Sequence, residues 1–524
     1  MERIKIKNFR KIQGTWELDL APITFFTGTN NSGKSSVLKA IMALDDFGDS
    51  NNHLELSFNG RNRRKHKIDS YSNAVNWYNQ DEDNLDMEFE FGHAGYEVFV
   101  SFTPLTWENQ KLLRGGVKKL FFQRKRDGAK LTLERKSPKE YQFYVESAFF
   151  ERRRKGEEGD YFLNQHNDLK KTFSEEIKKL EIEKKSLPEM DPEFISINQN
   201  IALLSKKLNH VNKQIREYEK ESDDLIFTPT IELDKLSGDD FSIDKLIRIT
   251  FSKYFRENEK KLGLSDSRQD FHRAVMLGDI LQEALNFRVE HLSPHRNNQI
   301  RLYVNDETST DIYEIINAHS QTPIPKGSEA GKFIKKWMGT FDVGSDYNIV
   351  PVQGVASIVQ IKENGKSINL VDKGFGAGQI FSIILRIALT IHQNSLEKNR
   401  FSRRKSTPII LIEEPEANLH PKLQSELVNM FLEAYEIHQI RFILETHSEY
   451  IIRKTQLVGL ERNFFSRGNQ GNPFKVYYFE KDDVPYEMVY TEQGRFERDF
   501  GEGFYDVSAK LTMETLKKSK LKDR

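Results

Sequence analysis

The stretch from Pro22 to Ile41, PITFFTGTNNSGKSSVLKAI, constrains this chain more than any other. Gly28-Thr-Asn-Asn-Ser-Gly33-Lys34-Ser35 fits G-x-x-x-x-G-K-[ST], a phosphate-binding loop set between a strand and a helix. Both flanks agree with that context. Ile23 to Thr27 predicts a short buried strand, and Val37, Leu38, Ile41 and Leu44 recur at helical spacing. Such a loop presents successive backbone N–H groups to an anion, and the helix dipole favours the negative charge. Gly28 and Gly33 allow the close approach that a side chain would obstruct. By the logic of the motif, Lys34 reaches the β- and γ-phosphates of ATP and Ser35 ligates Mg2+.

A chain of 524 residues implies two or three domains. Lys plus Arg is 79 and Asp plus Glu is 79, so the balance excludes a histone-like or polybasic protein but leaves room for a local basic groove. With no cysteine, disulfides, thiolate zinc sites and cysteine nucleophiles are excluded together. The charged opening MERIKIKNFRKI has no apolar core of a secretory signal, and no run of 18 or more apolar residues occurs, so a cytoplasmic location and no membrane span are expected.

Ile4 and Ile6, then Trp16, Leu18 and Leu20, alternate with polar neighbours and predict a small antiparallel element before the loop. Leu54–Phe58, Met87–Phe91 and Tyr96–Phe102 read as further strands of that sheet. Three basic clusters follow: Arg61, Arg63, Arg64, Lys65 and Lys67; Lys118, Lys119, Arg124, Lys125 and Arg126, interleaved with Phe121 and Phe122; and Arg152 to Lys155. Basic and aromatic residues together can track a nucleic-acid backbone and stack on bases, which makes double-stranded DNA a candidate partner; a solvated face explains the same residues equally well.

Residues 163–222 change character. Ile197, Ile201, Leu204, Leu208, Val211, Ile215 and Tyr218 repeat at spacings of four and three, a coiled-coil seam. Phe173, Ile177, Leu180 and Leu187 form a looser matching stripe, and two prolines between Ser186 and Glu193 break the helix. The simplest fold is an antiparallel hairpin with arms about 37 Å long, with an intermolecular coiled coil as the alternative. Beyond it, Phe251–Leu262 and Val275–Phe287 have helical spacing.

Four apolar residues in a row, Ile409 to Ile412, predict a strand buried on both faces that ends in Glu413 and Glu414. Carboxylates at the C-terminal end of such a strand sit where ligands bind in α/β sheets. Glycines 374, 376 and 378 precede a strongly apolar helix, a second candidate anion site.

Together, IKIKNFRKI and TGTNNSGKSS resemble the ABC-type ATPase heads of the RecF, SMC and OLD (overcoming lysogenization defect) group, whose loop carries asparagine as Asn30 and Asn31 do here. The resemblance implies that Gly28, Asn30, Asn31, Ser32, Gly33, Lys34, Ser35 and Ser36 hold ATP. It identifies Glu413 as the Walker B acid on Mg2+, Glu414 as the residue that activates the attacking water, and His447 in Glu-Thr-His-Ser448 as the histidine switch. Gly374, Gly376, Ala377, Gly378 and Gln379 stand at the signature, which caps the nucleotide of a partner subunit, with Gly376 replacing the usual serine and Lys373 as an added cap. Asn418 falls in the D-loop, and Gln80 is the nearest candidate for the glutamine that touches Mg2+ in such heads. His291-Leu-Ser-Pro-His-Arg296 is similar to the G-P-x-R segment of OLD-like ATPases, with Arg296 either on phosphate or in a salt bridge.

The fold class expected is α/β: a two-lobed ABC-type head with a mixed sheet and an inserted coiled-coil hairpin. Its divisions are a P-loop lobe at 1–162, the hairpin at 163–222, a helical connection at 223–290, a second lobe at 291–470 and a small element at 471–524. The tail is too short for the toprim nuclease of full OLD enzymes, and Glu480, Asp482 and Asp483 lack a second acidic strand, so no nuclease is expected. The resemblance extends to ATPase subunits of anti-phage systems such as Septu and PARIS. It implies an ATPase that forms a head-to-tail homodimer or higher homo-oligomer and governs a separate effector, a nuclease or toxin. A DNA-repair or DNA-end-binding ATPase of the RecF or SMC kind, and an ATP-dependent scaffold with little turnover, are the alternatives.

Overall fold

The computed structural model describes all residues except 77, 79–84, 106–113, 147–156, 186–191, 221–225, 237–239, 263–266, 297–299, 305–310, 354–355, 399–406, 467–470, 502–503, 505–506 and 523–524. In chain order the elements are β1 (Arg3–Phe9), β2 (Ile12–Asp19), β3 (Ile23–Gly28), α1 (Lys34–Gly48), β4 (Glu55–Leu56), α2 (Arg63–His66), α3 (Tyr71–Ala74), β5 (Met87–His93), β6 (Tyr96–Pro104), β7 (Gly115–Arg124), β8 (Lys130–Ser137) and β9 (Glu140–Glu146). Then come α4 (Glu157–Lys184), α5 (Pro192–Lys220), β10 (Ile226–Phe227), β11 (Thr230–Glu232), α6 (Ile243–Leu262), α7 (Ser267–Leu285), β12 (Val289–Leu292), β13 (Tyr303–Val304), α8 (Asp311–Gln321) and α9 (Glu329–Thr340). The last third holds β14 (Asp346–Val352), β15 (Ala356–Glu363), β16 (Lys366–Asn369), α10 (Phe375–Lys398), β17 (Ile409–Glu413), α11 (Pro421–His438), β18 (Arg441–Glu445), α12 (Glu449–Glu461), β19 (Phe474–Phe479), β20 (Tyr486–Glu487) and α13 (Val507–Lys522).

The chain forms two compact units. One comprises 1–94, 100–116 and 283–524, the other 95–99 and 117–282. The first unit is α/β. Its central sheet has the order β12-β17-β18-β3-β19-β20, with all neighbours parallel except β19 and β20. The loop strand β3 and the acidic strand β17 therefore share one sheet, separated only by β18. Every residue of β3 is buried, as are the first four of β17, the pattern of strands covered on both faces. Ile23, Phe25, Ile384, Ile410, Leu444 and Val476 belong to the same core. The apolar stretch Phe375–Glu397 of α10 has the length and composition of a membrane span, yet 83% of it is buried inside the fold, where it serves as a core helix.

In the same unit β1 pairs antiparallel with β2, Ile4 opposite Leu18 and Ile6 opposite Trp16, and with β5 on its other side. The strand expected over 54–58 contracts to the two residues of β4, which pair with Gly116 and Gly115 of β7. A smaller sheet, β13-β15-β14 with β16 on β15, precedes the signature segment.

In the second unit β8 pairs antiparallel with β7 and β9, and β9 carries β10 and β11. Phe143 and Phe251 meet with tilted rings across β9 and α6, 5.5 Å between ring centres. Residues 117–146 thus belong with the helices of 157–282, whereas the sequence reading placed them with 1–162. Helices α4 and α5 pack on one another. Ile197 and Val211 of the seam are buried, while Ile195 and Leu203 beside it stay 53% and 54% exposed. Leu187 and the proline turn lie outside the described residues.

Candidate active site

Parallel strands β17, β18 and β3 end at one edge, and each delivers polar residues there. Glu413 and Glu445 are register partners on β17 and β18, and Glu445 in turn pairs with Phe26 on β3. Gly28 follows at the end of β3 with φ +128°, and a methyl group there would lie 2.1 Å from the Phe479 carbonyl oxygen of β19. That same carbonyl accepts the Thr29 N–H at 3.0 Å. Gly33 has φ +101°, and a side chain on it would strike the Trp16 ring of β2 at 2.5 Å. The two glycines let the loop close down between β2 and β19.

Lys34 is buried and donates to the carbonyls of Thr29 (2.6 Å) and Gly28 (3.3 Å). Burial lowers its ammonium below the usual lysine range, and the charges of Glu445 and Glu414 oppose the shift. Ser32 Oγ donates to the Thr29 carbonyl at 2.7 Å, and Ser36 N–H to Gly33 at 2.9 Å. Asn30 and Asn31 are exposed at the loop tip, Asn31 with φ +59°. Ser35 Oγ donates to Glu445 Oε2 at 2.9 Å, which ties the loop helix to β18. Burial, then the neighbouring Glu413 charge, pushes the Glu445 carboxyl up to about 7, against the pull of Lys34 and Ser35.

Glu413 accepts from His291 Nε2 at 2.8 Å. The next residue, Glu414, is exposed, has φ +46° and donates its N–H to the Glu445 carbonyl at 2.7 Å. His447 stands two residues beyond Glu445 with its surface partly open to solvent, and its N–H donates to Glu416 Oε1 at 2.7 Å. Partial desolvation and then Lys34 hold its imidazole below the ordinary histidine range, against the pull of Glu414, a balance that favours the neutral ring. Ser448 caps α12 through Ile451 N–H and donates to Gln424.

The donor set fits Mg2+. Hydroxyl and carboxylate oxygens are hard ligands, and magnesium sites use one or two carboxylates together with substrate phosphates. The raised Glu445 carboxyl beside Glu413 is what a dicationic neighbour would relieve.

The signature residues lie at the start of α10. Gly374 has φ +92°, and Gly376, Ala377 and Gly378 follow in the first turn. A methyl group on Gly376 would lie 2.5 Å from the carbonyl of Asn418, itself in the left-handed region at φ +62°. A side chain at Gly376 would therefore collide with the Asn418 turn. Gln379 is buried. Lys373, expected as an added cap, pairs with Glu363 at 2.8 Å.

Other expectations change. Arg296, expected on phosphate or in a salt bridge, donates to main-chain carbonyls of Ser293, Glu413 and Glu414, and no ion pair to it is seen among the described residues. Gln80 and Arg152–Lys155 lie outside the described residues. Arg124 is buried and holds Asp127 with two bonds of 2.7 and 2.8 Å; Arg126 reaches the same carboxylate, and Phe122 is fully buried. In the first cluster Arg61 binds Asp45 at 2.6 Å and Lys65 binds Glu314 at 2.9 Å. Arg124, Phe122 and Lys65 are thus engaged within the fold, while the Arg61 side chain stays half-exposed beside Asp45. Sequence reading missed Glu445, His291 and Glu416. The signal for Glu445 was present, an acid closing an apolar run one residue before Thr446 and His447.

Residues 1–452 match the family model of the AAA ATPase domain. No curated protein matches the chain. Among solved structures, it is similar to the Smc head domain with an extended coiled coil bound to the C-terminal domain of ScpA, from Pyrococcus furiosus, at 10% identity over 99% of both chains with a TM-score of 0.34. It is also similar to the SMC head domain from Thermotoga maritima, at 11% identity over 93% of this chain and 98% of that one, with a TM-score of 0.31.

Proposed function

The chain belongs to the AAA ATPase domain family, and on that premise we propose that it binds ATP with Mg2+ and hydrolyses it at the edge formed by β3, β18 and β17. The observation that carries the reading is the joining of the loop helix to both acidic strands through Glu445, by its carboxylate to Ser35 and by its carbonyl to Glu414. In this reading Gly28 to Ser36 wrap the phosphates with backbone N–H groups, and Lys34 turns its ammonium from the loop carbonyls to the β- and γ-phosphates. Ser35 and Glu413 hold Mg2+, which supplies charge neutralisation on the phosphates when bound. Glu414, exposed at the strand end, orients the attacking water and accepts its proton. His447, neutral, supports the γ-phosphate with a ring N–H.

We further propose that ATP joins two copies head to tail, the residues from Gly374 to Gly378 and Asn418 of one covering the nucleotide of the other. The motif resemblance to OLD-like ATPases supports a cytoplasmic regulator of a separate effector, a nuclease or toxin, in prokaryotic anti-phage defence. ATP turnover by the purified protein, wild type against Glu414→Gln, with and without double-stranded DNA, tests the proposal. The expected result is that Glu414→Gln keeps nucleotide affinity and loses turnover by on the order of 10²-fold or more, with no DNA effect on the wild type. Stimulation by DNA would favour a repair or DNA-sensing ATPase instead. Absence of turnover in the wild type would favour an ATP-dependent scaffold.

A further inference from the structure

Glu414 occupies a backbone conformation that non-glycine residues rarely adopt, φ +46°, and something must hold it there. On its N-terminal side the Glu414 N–H is fixed by the Glu445 carbonyl at 2.7 Å. On its C-terminal side the holding group comes from the segment after β12. Leu292 pairs with Ile412, so the chain leaves β12 beside the end of β17. Asp311 fixes the departing turn by accepting from Ser293 N–H (2.6 Å) and Oγ (2.7 Å). Arg296 then reaches back, with Nη1 donating to the Glu413 carbonyl at 2.9 Å and to Ser293 at 3.1 Å, and Nη2 donating to the Glu414 carbonyl at 2.9 Å.

We propose that Arg296 is a positioning residue for hydrolysis: its planar fork grips the two consecutive carbonyls of Glu413 and Glu414 and so aims the Glu414 carboxylate at the attacking water. The inference rests on the assignment of Glu414 as the water-activating residue. Arg296 is fully buried, and an arginine with 0% exposure is costly; both its Nη atoms are used on the three carbonyls, while Nε has no partner among the described residues. Four acids, Glu416, Asp311, Glu414 and Glu413, keep it charged, although burial lowers it to about 10. An apolar side chain would fill the same space without that cost, but it would leave both carbonyls ungripped. Lysine, with a single point of attachment, cannot span two successive carbonyls as the guanidinium does.

The test is Arg296→Lys, alone and combined with Glu414→Gln. Alone it should lower kcat on the order of 10²-fold, as a misplaced reacting group does, while KM and the affinity for a fluorescent ATP analogue stay within about twofold. On nucleotide-free protein, amide exchange across residues 411–418 should quicken. In the Glu414→Gln background the same change should lower the residual single-turnover rate by less than about twofold, because the group it positions is already gone. Equal losses in both backgrounds, or a loss carried by nucleotide affinity, would overturn the inference and leave Arg296 a structural residue. Wild-type turnover in Glu414→Gln itself would instead overturn the catalytic assignment, and the inference with it. If Arg296→Lys does not fold, Arg296→Gln, which buries no charge and has only one amide nitrogen to offer, is read by the same outcomes.

Discussion

His93 is a buried imidazole that the site does not use, and it gives the fold a pH dependence of its own. Its Nε2 faces the Asn286 carbonyl at 3.2 Å, its Nδ1 lies 3.5 Å from the Met1 amine, and its ring meets Phe287 edge-on. Burial first, then the positive amine, lowers it to about 4, against a weaker opposing pull from Asn286. The unfolded chain, at the ordinary value near 6.5, therefore binds the proton more tightly than the folded one. Stability should hold above pH 6.5 and fall as the pH drops from about 6.5 to about 4, by at most about 3 kcal/mol. Urea titrations at pH 7 and pH 5 check this, and His93→Gln should flatten the difference; an unchanged slope would move the cause elsewhere. Legibility at this scale followed local signals. Gly28, Lys34, Ser35, Glu413, Glu414 and His447 were readable because each stands in a short pattern with its own chemistry. His291, Glu416 and Arg296 act through contacts 122, 31 and 117–118 residues away, which no local pattern encodes.

Among the elements, strands β3, β17 and β18 were legible because unbroken apolar runs that end in polar residues admit few other interpretations. The basic clusters stayed ambiguous for a related reason: sequence shows the cations but not the partner acids, and Asp127, Asp45 and Glu314 reach them only through folding. The α4–α5 pair lies between these cases. Its periodicity predicted the seam, and the burial of Ile197 and Val211 beside exposed Ile195 and Leu203 gives that seam a side. Ile197→Ala should therefore destabilise the pair by about 1–3 kcal/mol, whereas Ile195→Ala should stay within about 0.5 kcal/mol. Helical circular dichroism followed through denaturant separates the two. Equal effects would mean that α4 and α5 do not meet along the predicted face.

At the scale of the molecule, the signature residues and the nucleotide loop are parts of one chain that the head-to-tail reading assigns to two different sites. Sedimentation of Glu414→Gln should then give the monomer mass without nucleotide, twice that mass with ATP and Mg2+, and the monomer again after chelation with EDTA. An unchanged mass in all three conditions would remove the trans arrangement. Consider also when the parts of the central sheet are made. β3 is finished by residue 28, but its two neighbours are β18 and β19, which begin at residues 441 and 474. At about 5–20 residues per second, a ribosome needs roughly 20 to 80 seconds to supply them. For that interval ITFFTG, fully buried in the finished molecule, has neither hydrogen-bonding partner. The nascent chain must carry an unpaired, sticky strand while more than 400 further residues are added, so the ordering of the sheet that builds the site also opens a window for aggregation during synthesis.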